Sequence, residues 1–494
     1  MTVTTIPGAS SVTAGELIST NPATGQEVGR VRVATAEDVK DAVSRAREAA
    51  AWWAGLGFRE RKRRLLKWRK AITGRIGELS VLINQEGGKP LEEAVLEVVV
   101  SVDHIAWAAR HARKTLGWRR VGGSLMQPEY AGYLEYQPYG VVGVIGPWNF
   151  PIFTPMGSIA YALAAGNAVV FKPSEYTPAI GQFYVDLFQQ IVPEHPVLQI
   201  VHGMGDVGAA LCRSGVDKVS FTGSPATGKK VMAACAETLT PVVIEGGGKD
   251  AVLVLEDADL DAAAEAVAWG ANFNAGQACV GIERAYVHER VYDKFVSKLV
   301  EETKRIDIDS QIGPITMPGQ RDLIKRHIDE ALTNGATALL GGPDAVRGAY
   351  VRPTILVGVP EDSTTVQEET FGPTLTVAKV SGVEEAVRLA NGTQYGLGSA
   401  VFSRSQGFEV ARQLRTGMTS INSLFSFAVL PTLPFGGVGN SGFGRIHGED
   451  GLREFARVKA IAKRRLPSVP ALLTFRRTKS GMKLAERAVK FLHG

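Results

Sequence analysis

The strongest constraint on this 494-residue chain is a repeating pattern between residues 141 and 255. Short apolar runs (Val141–Ile145, Ala168–Lys172, Val197–Val201, Lys218–Phe221, Val242–Ile244, Ala251–Leu255) alternate with helical stretches such as Phe153–Ala165. Strands that read as continuous apolar runs are buried on both faces, as in a parallel sheet. The pattern therefore predicts an open, mostly parallel α/β sheet. Such sheets bind ligands beyond the carboxyl ends of their strands. The loops after these runs are where chemistry should be sought. Later segments (Ala285–His288, Val291–Thr303, Thr374–Val380, Val383–Ala390) predict a second α/β domain. Two or three domains suit the length.

Upstream, residues 1–27 read as a loose arm with a turn cluster at Asn21–Gly25. Thr35 reads as the N-cap of a helix reaching Trp53, with Val39, Ala42, Val43 and Ala46 on its inner stripe. Further helices are predicted over Arg59–Ile76 and Leu91–Ala112, and an extended stretch over Gly132–Gly140. The Arg61–Arg64 run reads as a solvated helix face, because no aromatic residues interleave with it, and no nucleic-acid partner is expected. No apolar run is long enough to span a bilayer. Met1–Thr20 lacks the marks of a secretory leader, and three cysteines suit a reducing compartment, so a cytoplasmic location is expected. No cluster has metal-ligand spacing, and no metal is expected.

Several loops carry candidate chemistry. Cys279, in Asn274-Ala275-Gly276-Gln277-Ala278-Cys279, is a candidate nucleophile, or else a buried cysteine acting as a small hydrophobe. Asn149, between Pro147 and Pro151, offers a rigid amide for an oxyanion, or an ordinary Asx-turn. Glu245 precedes Gly246-Gly247-Gly248-Lys249; it could activate water or form an ion pair. Lys172 and Glu175 end a strand and could both meet a ribose, or form a surface turn. Gly203-Met204-Gly205-Asp206-Val207-Gly208 has the dinucleotide fingerprint spacing without the acid that should follow about 20 residues on. Gly223–Gly228, with Ser224 before Pro225, is the better phosphate cradle. Glu369 and Phe371 could serve a ribose and a flat ring, or be a loop acid and a core Phe.

Taken together and in this order, Pro147–Pro151, Lys172–Glu175, Phe221–Ser224, Glu245–Lys249, Gly276–Cys279, Glu369–Pro373 and Pro434–Gly437 resemble the aldehyde dehydrogenase superfamily, of the NAD(P)-dependent, non-acylating kind. The resemblance spans about Asn21 to Val458. It implies a Rossmann-like cofactor domain (1–119 and 139–247), a second α/β catalytic domain (248–446) and a small β oligomerisation arm (120–138 and 447–494) that includes a basic C-terminal extension. It implies that Cys279 attacks an aldehyde, that Asn149 and the Cys279 backbone N–H hold the oxyanion, and that Glu245 activates the water that releases the acid. The cofactor would be bound by Trp148, Lys172, Glu175, Gly205, Gly208, Phe221, Ser224, Glu369 and Phe371. Glu175 would repel a 2′-phosphate, favouring NAD over NADP. Homodimers or homotetramers are implied by family alone. Two positions depart from the pattern. Gly246 stands where leucine is familiar, which is expected to loosen the backbone at Glu245. Ser158 stands where many relatives carry a lysine.

Phe153, Thr154, Ala278, Val280, Phe425 and Phe427 suggest a neutral tunnel and an apolar aldehyde, aromatic or medium-to-long aliphatic. A semialdehyde is the main alternative; a CoA-acylating enzyme and a non-catalytic scaffold are weaker ones, since Glu245, Asn149 and Cys279 are all retained. The net charge is +5, and residues 463–494 carry +8, so residues 1–462 carry −3. Within that basic tail, Met482–Leu492 sets Leu484, Ala488, Phe491 and Leu492 on one helical side, away from Lys483, Arg487 and Lys490. Peripheral membrane contact and packing on a subunit or over the tunnel mouth are the competing readings.

Overall fold

The computed structural model describes residues 11–122, 129–467 and 472–493. Residues 1–10 of the expected arm and residues 123–128 of the expected oligomerisation segment lie outside them.

Two parallel sheets dominate. The first has six strands, in the order Gly442–Phe443, Val242–Glu245, Lys218–Thr222, Val141–Ile145, Ala168–Lys172, Leu198–Ile200. All its pairs are parallel except the short Gly442–Phe443 edge, which runs antiparallel to Val242–Glu245. From Val141–Ile145 the chain winds outward to one side and then returns to pair Lys218–Thr222 on the other. The order reverses between those two strands, and their carboxyl ends point at one crevice. The residues after them are Gly146–Asn149 and Gly223–Ser224.

The second sheet has seven strands centred on Ile282–His288, with Thr374–Val380 on one side and Asp250–Val254 on the other. Only its Thr337–Leu340 edge is antiparallel. Asp250–Val254, five residues past Glu245, therefore starts this sheet and does not extend the first. A third, three-stranded antiparallel sheet pairs Tyr130–Pro138 with Ala456–Arg464 and Arg119–Val121.

Two upstream readings are corrected. Residues 11–27 are not a loose arm: Ser11–Thr13, Glu16–Thr20 and Glu27–Arg32 form an antiparallel sheet, in which Leu17 is buried. Its strands are short and largely polar, so alternation was faint. The chain from 57 to 87 holds two helices, Gly57–Gly74 and Ile76–Gly87, where one was expected. Thr35 does cap the first helix, Ala36–Gly55, in a reciprocal box with Asp38.

These helices anchor the first sheet through buried aromatics. Trp53 Nε1 donates to Leu163 O at 2.8 Å and Trp68 Nε1 to Tyr184 O at 2.9 Å, each from a fully buried ring. The basic run is divided: Lys62 and Arg63 are exposed, as a solvated face requires, and Arg61 turns inward. Arg61 is buried and donates to Ala164 O and Ala54 O, while Arg63 and Arg64 both pair with Glu60. Among the described residues no helix is long and apolar enough to cross a membrane, and no His, Cys, Asp and Glu group could hold a metal ion.

Candidate active site

Cys279 lies on the loop between the helix Leu260–Asn272 and the strand Ile282–His288. It is half-buried, where Cys212 and Cys235 are fully buried. The turn before it is unusual. Asn274, Ala275 and Gly276 all have positive φ, 51°, 54° and 71°. For the two non-glycine residues this costs about 1–2 kcal/mol each. Surrounding contacts hold the strain in place. A side chain at Gly276 would collide with the Gly372–Pro373 backbone. Asn274 N donates to Glu93 Oε2 at 2.7 Å, and its side-chain amide reaches Asn149 O and Gln277 O, both at 3.1 Å.

Asn149 follows the central strand of the first sheet and is buried. Its Nδ2 donates to Gln277 O at 3.0 Å. One amide hydrogen is thus fixed two residues before Cys279, and the second remains to be donated. The start of the next helix is held as well. Glu97 Oε1 accepts from Ile152 N (2.9 Å) and Phe153 N (3.1 Å), and the carboxylate forms a buried ion pair with Lys89.

Glu245, at the end of its strand, points at the sulfur. Cys279 Sγ donates to Glu245 Oε1 at 3.7 Å, and Thr222 Oγ1 donates to Oε2 at 3.2 Å. Burial pushes the Glu245 carboxyl up to about 7. The Cys279 thiol is pushed up too, first by burial and then by Glu245, Asp250 and Glu369. The loosening expected from Gly246 is not seen. Gly223 N donates to Glu245 O at 3.0 Å and Gly246 N to Ser441 O at 2.9 Å, and a Cβ at Gly246 would sit 2.8 Å from Asn440 O. The backbone is pinned, and glycine is what lets the Asn440–Ser441 segment approach. Ser158, in place of the familiar lysine, pairs with Ser220 Oγ at 2.8 Å.

The residues read as cofactor ligands gather on the crevice side of the first sheet. Lys172 Nζ lies 3.4 Å from Glu175 Oε2, and burial lowers the lysine's pKa. Ser224 caps the helix Pro225–Ala236, accepting from Thr227 N at 3.3 Å. A Cβ at Gly205 would meet nothing within 4 Å, and one at Gly208 would meet only Ile145 and Lys172 side chains at 3.8 and 3.9 Å. These glycines form an open shelf beside a helix N-terminus and a Lys–Glu pair, which fits a dinucleotide. Phe221 works from beneath: its ring is buried under Gly223 and Gly228. Trp148 meets Phe371 edge-on, with centroids 5.5 Å apart. Glu369 accepts from Gly248 N at 2.9 Å, its carboxyl raised to about 8, chiefly by burial. It lies where any side chain on Gly247 would be.

Three supporting residues escaped the sequence reading. Thr222 orients Glu245, and Asn274 ties Asn149 to the cysteine turn. Glu283 accepts from Thr370 N (2.8 Å) and Phe371 N (2.8 Å) and pairs with buried Lys249. It thereby sets the Glu369–Phe371 loop. The available signal was an acid inside the Ile282–His288 strand, whose residues are nearly all buried.

An aromatic cluster packs at the start of the cysteine turn, on Phe273. Trp269, Phe273 and Phe425 cluster with centroids 4.8–5.4 Å apart. Phe153 packs on a buried histidine pair, His104 and His447, whose rings are 3.9 Å apart. A cleft of about 570 Å³ includes Trp269, Phe273 and Asn272, with Glu92, Glu93, Glu265, Glu302 and Arg305 around it.

A doubly wound dinucleotide-type sheet set against a strained cysteine turn is the framework of an NAD(P)-dependent oxidoreductase acting on aldehydes. Residues 10–461 match the Aldehyde dehydrogenase family, and the chain belongs to that family. It is 35% identical to a 4,4'-diapolycopene aldehyde oxidase of Methylomonas sp, over 97% of this chain and 91% of the relative. It is also 35% identical to a chloroplastic betaine aldehyde dehydrogenase of Beta vulgaris, over 89% of this chain and 91% of the relative. The crystal structure of an NAD-dependent aldehyde dehydrogenase from Sinorhizobium meliloti superposes with a TM-score of 0.88 at 32% identity, covering 94% of this chain and 95% of that one.

Proposed function

We propose that this enzyme oxidises an apolar aldehyde, aromatic or medium-to-long aliphatic, to the carboxylic acid, with NAD as the hydride acceptor. The observation that carries the mechanism is the 3.7 Å approach of Cys279 Sγ to Glu245 Oε1. The raised thiol needs a base, and a carboxyl poised near 7 is a suitable one. Glu245 takes the thiol proton as sulfur bonds to the aldehyde carbon. The free N–H of Asn149 and the Cys279 backbone N–H hold the resulting oxyanion. Donors fixed before the reaction are worth most in such a role. NAD, when bound, supplies the acceptor for the hydride that leaves the thiohemiacetal carbon. A thioester then remains on Cys279. Glu245 passes the thiol proton to solvent and is again a base. It then takes a proton from water as the water oxygen attacks the thioester carbon, the C–S bond breaks, and that proton returns from Glu245 to sulfur as the acid departs. Thr222 keeps the carboxylate aimed through these proton transfers.

In this reading Lys172 and Glu175 take the adenosine ribose, Gly205 and Gly208 back the adenine, and Ser224 and the helix behind it meet the diphosphate. Phe221 supports that turn. Glu369 swings from Gly248 to the nicotinamide ribose, with Phe371 and Trp148 against the ring. The charge of Asp206 also reaches Lys172. Two acids at this edge support NAD over NADP, whose extra phosphate they would repel. The exposed Ala456–Arg464 strand and its sheet serve as the oligomerisation arm of a dimer or tetramer.

The aromatic cluster supports an apolar substrate, as do Val429, Leu430 and Leu433, which are exposed just after Phe425. A second reading rests on that cleft, which adjoins the cysteine turn through Glu93 and Phe273 although Cys279 does not line it. Four glutamates against one arginine, with Trp269 and Phe273, suit a cationic aldehyde. That charge disfavours an anionic semialdehyde. The test is NADH formation over a panel of aliphatic, aromatic, cationic and carboxylated aldehydes, with and without CoA. The highest kcat/KM is expected on the apolar members, and Cys279→Ala should lower turnover by about a thousandfold or more. Preference for the cationic members would select the second reading. Preference for carboxylated ones, CoA dependence, or full activity in Cys279→Ala would overturn both.

A further inference from the structure

We propose that the helix Lys479–His493 docks this enzyme on an anionic lipid bilayer. At about 100° per residue, the helix divides into two clean halves. Met482, Leu484, Val489, Phe491 and Leu492 share one half with only small residues between them. Lys479, Lys483, Arg487 and Lys490 occupy the other. The one acid there, Glu486, is already paired with Lys490 at 2.8 Å.

Among the described residues nothing covers the apolar half. Leu484 is 57% exposed and Phe491 88%, and Gly481 alone in the helix is buried. Just upstream, Phe475 is fully exposed beside Arg476 and Arg477. An apolar stripe left in water costs free energy unless something covers it. The charge pattern selects the cover. Residues 463–494 carry +8. A second copy of this tail would bring the same charge, and the rest of the chain offers only −3 spread over 462 residues. A surface that is both negatively charged and apolar just beneath satisfies the two halves at once. An anionic bilayer is such a surface, and helices of this kind lie in its interface plane. The inference is independent of the substrate reading, since it uses none of the residues assigned to the site. If both hold, docking would bring the enzyme to where apolar aldehydes partition.

The experiment is co-sedimentation of the full chain with vesicles of phosphatidylcholine alone or mixed with phosphatidylglycerol. Binding is expected to the mixed vesicles at low salt and should collapse at about 0.5 M salt, where screening is nearly complete. Each of Lys483→Glu, Arg487→Glu and Lys490→Glu should weaken it by about fivefold or more. Leu484→Glu with Phe491→Glu should abolish it. All variants should keep wild-type turnover on a short, soluble aldehyde, which shows that they are folded. If the full chain stays in the supernatant with the mixed vesicles, the proposal fails. It fails equally if Leu484→Glu with Phe491→Glu leaves binding intact, or changes the oligomeric mass while vesicles are never bound. Absence of turnover in the wild-type chain with vesicle binding intact would count against the catalytic reading alone.

Discussion

The two sides of Cys279 are built in different ways. On the sheet side the contacts are charged or main-chain: Lys172 with Glu175, the capped helix at Ser224, the glycine shelf, and Glu369 on Gly248 N. On the far side they are rings and aliphatic surface: Phe153, Trp269, Phe273, Phe425 and the exposed residues after it. A dinucleotide carries fixed charges and hydroxyls, so its side needs particular atoms at particular places. An apolar aldehyde offers only shape and area, and many side chains can supply those. The first side is therefore specified residue by residue, and the second by volume.

Three substitutions would break or sharpen that contrast. The largest effect belongs to the residue between the two sides. Glu245→Gln should cut steady-state turnover by about 10²–10⁴-fold, and stopped-flow traces should keep at most one NADH per site as the acyl-enzyme accumulates. The wild-type rate should fall as pH drops below about 7, because the raised carboxyl must be ionised to accept a proton. That limb should vanish in the variant. A retained limb would place the titrating group elsewhere. On the sheet side, Glu175→Gln should raise the NADP-to-NAD ratio of kcat/KM by about tenfold, since one repelling charge of about 1.4 kcal/mol is removed. An unchanged ratio would shift discrimination to Asp206. The smallest effect belongs to the ring side. Trp269→Ala should raise KM for long apolar aldehydes by about fivefold while sparing short ones, the loss of roughly 1 kcal/mol of apolar contact. A uniform change across chain lengths would mean that Trp269 only supports the fold.

Much of this was legible before any coordinates. The continuous apolar runs at 141–145 and 168–172 are strands with those bounds, because burial on both faces leaves no polar position to blur them. The helix Phe153–Ala165 was legible for the same reason. The N-terminal strands were not, since a partly solvated sheet of short strands carries little periodicity. The break at Arg75 between two helices was also hidden, with no Gly-Pro signal beyond Gly74. At the site, Cys279, Glu245 and Asn149 stood out by type and setting. Thr222, Asn274 and Glu283 did not, because their work is to hold other residues and nothing in their local sequence says which.

The sequence alone determined the parallel α/β class, the reactive residue types and their order along the chain. These follow from local hydrophobic patterning and from the chemistry of side chains. Only the tertiary structure decided that Gly246 is pinned and not loose, that Glu369 rests on the Gly247–Gly248 backbone, and that a buried Lys249–Glu283 pair sets the loop beneath it. Each is an approach between segments distant in the chain, set by close packing and by the need to pair buried charges. No local pattern encodes such an approach.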